Sequence, residues 1–377
     1  MVLDISDDSF KNILNDETLY LPIAWDGMDF SATLEKLLLH YMQKLQSLSQ
    51  ESDALPYGIS VDTDTISKVC QYLIEAVNHY LNGFPSKAYT SFKRVMRPLM
   101  ETPLKIYQKS ISDLNGEHTR YYGNNDTLRL FRAVKVEDEK PYARTRVFHT
   151  PYTLRSKVST TRYSIAGYPS LYLGTSLELC CEEVHINPAQ DLALASMFKL
   201  ERRFEYNHTN IRVVELGVKP QDFLGRNYNI ETGTRNVSQS LLTNNTVKSA
   251  YLLWYPLIAS CSYIRSRKND PFAVEYIIPQ LLMQWVRNKV KAGKYHNNDQ
   301  LIGIRYFSCA SEAASEMGFN YVFPTSNKVL SDEFPYCSVL ANAFHLTKPV
   351  YIHKYNNLYS CEHQLERMDG FEFITFE

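Results

Sequence analysis

The sequence predicts an α+β protein: a helical N-terminal domain over residues 1–120, then a mixed α/β domain over 121–377. Three observations predict it. Apolar residues in the first 100 positions recur at helical spacing. From Thr127 the chain breaks into short β-rich segments separated by turns. Between those segments, residues 177–185 and 274–290 return to a helical period. A chain of 377 residues has room for two domains and a sizeable core.

In chain order, Leu34, Leu37, Leu38, Tyr41 and Leu45 form one apolar stripe, with Glu35, Lys36 and Lys44 on the wet side. A second helix is expected over 65–81, capped by Asp64, with Ile66, Val69, Leu73, Ala76, Val77 and Tyr80 as its stripe. Gly83 and Pro85 stop it, and Ser86 caps a third helix running to Met96. Turn signals in NGEH and GNND place the domain boundary near 115–126. Beyond it, LRLFRAV, SLYLG, IRVVEL, GIRYFS and NYVFP read as strands. The polar stretch 227–245 reads as a loop. Pro279 sits near a helix start or at a kink, which leaves 280–290 as the firm part of the last expected helix.

Composition narrows the function classes. Charged residues make up 21% and the net charge is −1, so there is no global field to draw nucleic acid or a membrane surface. No apolar run is long enough for a membrane span. The opening MVLDISDDSF is acidic and lacks a basic n-region, so no signal peptide is expected. Seven scattered cysteines are read as reduced thiols, which fits a cytoplasmic protein.

The stretch RYSIAGYPSLYLGTSLELCCEEV, residues 162–184, carries the most chemistry. Gly167 and Pro169 make a turn, SLYLG a short strand, and Leu177, Cys180, Cys181 and Val184 a helical face that Ser176 can cap. A turn, strand and helix in succession can gather Arg162, Tyr172 and Glu183 into one cleft.

This stretch resembles the core of the RES domain, whose short members carry a segment such as GRWNPPGTPVLYLA before a helix with a glutamate. TRYSIAGYPSLYLG aligns with that segment without a gap, and Glu183 falls eleven residues after Tyr172. LFRAV supplies the family's first arginine as Arg132, and LIGIRYFS places its serine at Ser308. FHTPYTLRSKVSTTRYS and EYIIPQLLMQWV resemble longer members, and YLNGFPSKAYTSF resembles the HEPN-related helical domain often attached to them. The resemblance implies an ADP-ribosyltransferase-like fold over 121–377 and an enzyme that splits NAD at the nicotinamide–ribose bond. The acceptor is phosphate or water, as in an NAD phosphorylase or glycohydrolase. It further implies a toxin held by a separate antitoxin chain, with growth arrest or phage defence as the outcome.

The residues suit that chemistry. The leaving nicotinamide already carries positive charge, so the reaction needs a carboxylate to stabilise an oxocarbenium-like ribose, and Glu183 fits that need. Arg132 and Arg162 offer planar forks for pyrophosphate, Tyr172 a stacking face for nicotinamide, and Ser308 a hydroxyl for ribose or amide. Glu178 and Glu182 are the rival carboxylates, Tyr163 is read as packing or a pocket wall and His149 as structural. No GxGxxG or Walker A pattern occurs, so NAD is expected as substrate and no resident cofactor is implied. Cys361, His353 and His363 lack regular metal-ligand spacing, so no metal is expected.

The HEPN-like segment lacks the arginine–histidine pair of HEPN nucleases, since no arginine precedes Arg94 and none up to Arg120 precedes a histidine at that spacing. Its expected role is dimerisation, as a homo-oligomer, partner binding or restraint. Two other readings stay open: an ADP-ribosyltransferase acting on a protein or nucleotide, and a non-catalytic scaffold.

Overall fold

The computed structural model describes residues 2–48, 58–101, 108–110, 129–200, 210–225, 243–292, 299–326, 329, 331–368, 370–372 and 374. The expected boundary at 115–126 and residues 227–242 of the expected loop lie outside the described residues. The elements used below are, in chain order, β1 (Val2–Ile5), α1 (Asp7–Leu14), α2 (Phe30–Ser47), β2 (Ile59–Asp62), α3 (Thr63–Leu81), α4 (Pro85–Glu101), β3 (Gln108–Ser110), β4 (Arg129–Lys135), β5 (Ser170–Gly174), α5 (Leu177–Glu183), β6 (Ala193–Leu200), β7 (Asn210–Leu216), α6 (Asn245–Ser260), α7 (Ile277–Ala292), β8 (Asp299–Phe307), β9 (Phe319–Pro324), β10 (Phe344–Leu346), β11 (Val350–Tyr351) and α8 (Leu358–Arg367).

The chain is α+β, as its pattern predicts. It divides into two compact units, and this division differs from the expected cut at residue 120. One unit takes the described residues up to 101 together with those from 218 to 285; the other takes 108–217 and those from 286 onward. The physical reason lies in α6. Its residues from Val247 to Ser260 are buried almost without interruption. A helix apolar all round needs cover on every side, and α6 finds it against β2 and α3.

In this helical unit, Pro256 interrupts α6. Proline has no N–H, so the Leu252 carbonyl four residues earlier loses its usual helical donor. The buried Tyr41 hydroxyl of α2 donates to that carbonyl instead, at 2.7 Å. The Tyr255 hydroxyl donates to the Leu19 carbonyl at 3.0 Å. Two local expectations shift. Asp62, not Asp64, caps α3 through the Thr65 N–H at 3.2 Å. The third helix starts at Pro85, whose fixed φ suits a first helical position, so Ser86 lies inside it.

The second unit holds a sheet in the order β10-β6-β4-β5-β9-β8-β7-β3, with β11 also paired to β6. Its pairs are antiparallel except β7–β8. One face is covered by α5 and α8, where Phe131, Ala133, Leu177, Cys180, Cys181, Cys361 and Leu365 form a core cluster. The expected strand SLYLG is β5 from end to end, and Ser176 caps α5 through the Leu179 N–H at 3.2 Å. Gly174 is the contact that lets α5 settle: a Cβ there would lie 2.8 Å from Cys180 Sγ. Val184 caps α5, and His185 follows at φ 52°, in the left-handed region that ends many helices. The last turn of α5 thus stops directly after Glu183.

Candidate active site

Residues 161–164 form a tight turn. Thr161 and Ser164 exchange backbone hydrogen bonds of 3.0 and 3.2 Å, which leaves Arg162 and Tyr163 at the tip. Both tip side chains are buried against the end of β8. Arg162 Nη2 donates to the Cys309 carbonyl at 3.4 Å. The Tyr163 ring packs on the Tyr306 ring with centroids 4.6 Å apart. Tyr163 is therefore a packing residue, one of the two roles expected for it.

Tyr172, half-buried on β5, fixes this turn from below. Its hydroxyl is 2.7 Å from Thr161 Oγ1 and 2.9 Å from Ser164 Oγ. Ser164 Oγ also donates to Ser170 Oγ at 2.9 Å. Further along, Gly167 adopts φ 80°, which a glycine reaches without strain. Tyr172 thus positions Arg162 through its hydroxyl and leaves its ring for any stacking role.

Strand pairing brings the carboxylate to the same face. Asn320 of β9 pairs with Gly174 of β5 on one side and Tyr306 of β8 on the other. Paired residues share a face, and Tyr172, two residues from Gly174, shares it too. β9 is buried along its whole length. A buried amide without partners is costly, and Asn320 Nδ2 donates to Glu183 Oε1 at 2.5 Å. Of the rival carboxylates, Glu178 is exposed and Glu182 half-buried, while Glu183 is the one Asn320 holds.

Tyr306 sits among these groups. Burial first, then the charges of Glu183, Tyr172 and Tyr163, push its phenol well above the ordinary tyrosine range, with Arg162 opposing. The Tyr306 ring packs on Tyr163, and its strand partner Asn320 holds Glu183. The sequence reading missed Tyr306 and Asn320. Both lie inside strands read correctly, and a polar residue inside the otherwise apolar NYVFP was the available signal for Asn320.

The remaining two expected residues sit differently. Pairing between β4 and β5 is confined to Phe131–Gly174. Arg132 follows Phe131 and so leaves β4 on the other side. From there its Nη1 reaches the Tyr172 carbonyl at 3.4 Å. Burial draws the Arg132 guanidinium down to about 10, so it keeps its charge at neutral pH. Ser308 is fully buried, and its Oγ accepts from the Ala310 N–H at 3.1 Å, shaping the turn whose Cys309 carbonyl receives Arg162.

His149 is fully engaged elsewhere. Its Nδ1 lies 2.8 Å from the Thr150 carbonyl, and its Nε2 accepts from the Cys337 N–H at 2.9 Å. Only the neutral ring protonated at Nδ1 satisfies both contacts. Burial lowers its pKa to about 4, in keeping with that form. Burial also pushes the Cys181 and Cys361 thiols up to about 12, which disfavours the reactive thiolate. No metal-binding cluster occurs among the described residues, and no helix there is long and apolar enough to cross a membrane.

No family model matches the chain, and no solved structure matches it. A protein of Bacillus subtilis (strain 168) named "Putative toxin YopC" is 27% identical to it over 335 residues. That match covers 86% of this chain and 66%, just under two thirds, of the relative. This chain is thus similar over most of its length to a protein named as a toxin.

Proposed function

We propose that this chain is an NAD-consuming enzyme of the RES type that releases nicotinamide and acts as a toxin. The observation that carries the reading is the connected set Arg162, Tyr172, Tyr306, Asn320 and Glu183. It holds one cation and one carboxylate at fixed positions on a buried sheet face. The toxin name of the Bacillus subtilis relative supports the biological part.

In this reading Arg162 offers its guanidinium to a phosphate of the dinucleotide, held in place by the Cys309 carbonyl and by the turn that Tyr172 secures. Arg132 supports Tyr172 from the backbone side. Glu183 faces the ribose. Asn320 fixes one of its oxygens, and the other makes no hydrogen bond among the described residues. The C–N bond breaks with its electron pair passing to the pyridinium nitrogen, which leaves as neutral nicotinamide. The Glu183 charge stabilises the cationic ribose until an oxygen of phosphate or water attacks. Phosphate yields a phosphorylated ADP-ribose; water yields ADP-ribose and a proton. Ser308 acts on the turn beneath Arg162. A separate antitoxin covering this face is the partner the reading implies.

Incubation with NAD, with and without phosphate, tests the proposal by product analysis. Nicotinamide together with ADP-ribose or its phosphate is expected. Radiolabel transferred to protein would favour an ADP-ribosyltransferase, and absence of turnover would leave a scaffold.

A further inference from the structure

Tyr306 stands apart from the other buried tyrosines. It is 6% exposed, and its hydroxyl makes no hydrogen bond to any described residue. Tyr41 and Tyr255 direct theirs to carbonyls. Tyr263 also lacks a hydrogen-bond partner, but its oxygen is fully buried and its ring packs against Trp25 and Phe30, and burial alone shifts its pKa. Tyr306 instead pairs with Asn320, which holds Glu183, and its ring packs on Tyr163, the neighbour of Arg162. A nearly buried hydroxyl with no hydrogen-bond partner among the described residues, in a network that ends on a carboxylate, is placed to meet a ligand.

We infer that the Tyr306 hydroxyl donates a hydrogen bond to the substrate at the ribose that Glu183 faces. This inference deepens the NAD-cleaving reading and rests on it. The donor role follows from the raised pKa, because the phenol stays protonated across the working pH range. The position follows from the strand pairing: Tyr306 lies opposite Asn320, and Asn320 holds Glu183. The hydroxyl is therefore assigned to the carboxylate end of the site. The ring stays in place through its contact with Tyr163 and its strand partner Asn320, so the donor is held ready before substrate arrives.

The test uses the full chain with Tyr306→Phe, which removes the oxygen and keeps the ring. Nicotinamide release, NAD titration and melting temperature are measured for wild type, Tyr306→Phe, Glu183→Gln and the double variant. The expected result is a fall in kcat of about tenfold or more with melting temperature unchanged. The loss should be smaller in the Glu183→Gln background, because the two groups act on one ribose. Wild-type turnover in Tyr306→Phe beside a crippled Glu183→Gln overturns this inference alone. A loss of turnover matched by a loss of melting temperature also overturns it, since the hydroxyl would then be structural. If wild type itself releases no nicotinamide, the functional reading falls and this inference with it.

Discussion

In the helical unit, two buried tyrosines serve the backbone: Tyr41 supplies the donor that Pro256 removes from Leu252, and Tyr255 serves Leu19. In the sheet unit several polar side chains hold one another as well as the backbone. Tyr172 bonds Thr161 and Ser164, Asn320 bonds Glu183, and Arg305 pairs with Glu215 at 2.5 Å between β8 and β7. A hydroxyl that repairs a helix has already committed its one proton. Side chains that fix each other's positions leave charged ends preorganised at little further cost when a ligand arrives. The difference teaches that burial of polarity alone does not mark a site. What sets the sheet unit's group apart is that its polar side chains also fix one another around a cation and a carboxylate.

Two substitutions in the sheet unit should show the largest effects. Glu183→Gln keeps shape and the Asn320 contact but removes charge. Nicotinamide release should fall by about a hundredfold or more, with NAD affinity and melting temperature little changed. If Glu178→Gln or Glu182→Gln abolishes turnover and Glu183→Gln does not, the carboxylate is misassigned. Arg162→Ala should act mainly on binding, weakening NAD affinity by about tenfold or more, as measured by calorimetric titration. Equal affinity in Arg162→Ala and wild type would mean that the guanidinium serves the turn and not the phosphate.

The same contrast explains what could be read from sequence. SLYLG, the Ser176 cap and the grouping of Arg162, Tyr172 and Glu183 rest on local signals: a short apolar run after a turn, an N-cap, and a motif without gaps. α6 carried no such signal. Apolar on every side, it has no period to detect, and its place beside α3 is a long-range fact. β6 was missed for the same reason, since Ala193 to Phe198 are all buried. Asn320 and Tyr306 were hidden because strand recognition does not reveal which strands become neighbours. Asp62 displaced Asp64 as a cap by two residues, a shift that helix periodicity is too coarse to resolve.

The helical unit offers the next largest effect. Tyr41→Phe leaves the Leu252 carbonyl buried without its donor and should destabilise the chain by about 1–3 kcal/mol, with nicotinamide release unchanged under folding conditions. Pro256→Ala restores a backbone N–H at the position that normally serves Leu252. In that background Tyr41→Phe should cost less than about 1 kcal/mol. Urea unfolding of the four chains measures the cycle. Equal costs in both backgrounds would mean that the tyrosine acts through packing alone, and the contrast between the units would lose its clearest example.

The smallest effect concerns a charge at the other end of α5 from Glu183. The Glu362 carboxylate of α8 accepts a hydrogen bond from the Leu177 N–H at the first turn of α5. Burial pushes its pKa up to about 7, Glu366 and Glu178 add to the rise, and the Leu177 bond opposes it. A carboxyl raised in the folded state binds its proton more tightly there than in the unfolded chain. Stability from this group is therefore full below the ordinary glutamate value and declines as pH rises toward 7. Because Glu362 is partly exposed, solvent screening reduces the expected loss to about 1 kcal/mol between pH 5 and 8. Glu362→Gln keeps an acceptor for Leu177 and removes the charge. Its stability should vary less with pH over that range and exceed wild type at pH 8, as read from thermal melts. If the variant loses stability at both pH values, the carboxylate is needed in its ionised form as a cap on α5, and the sign assigned to its burial is reversed.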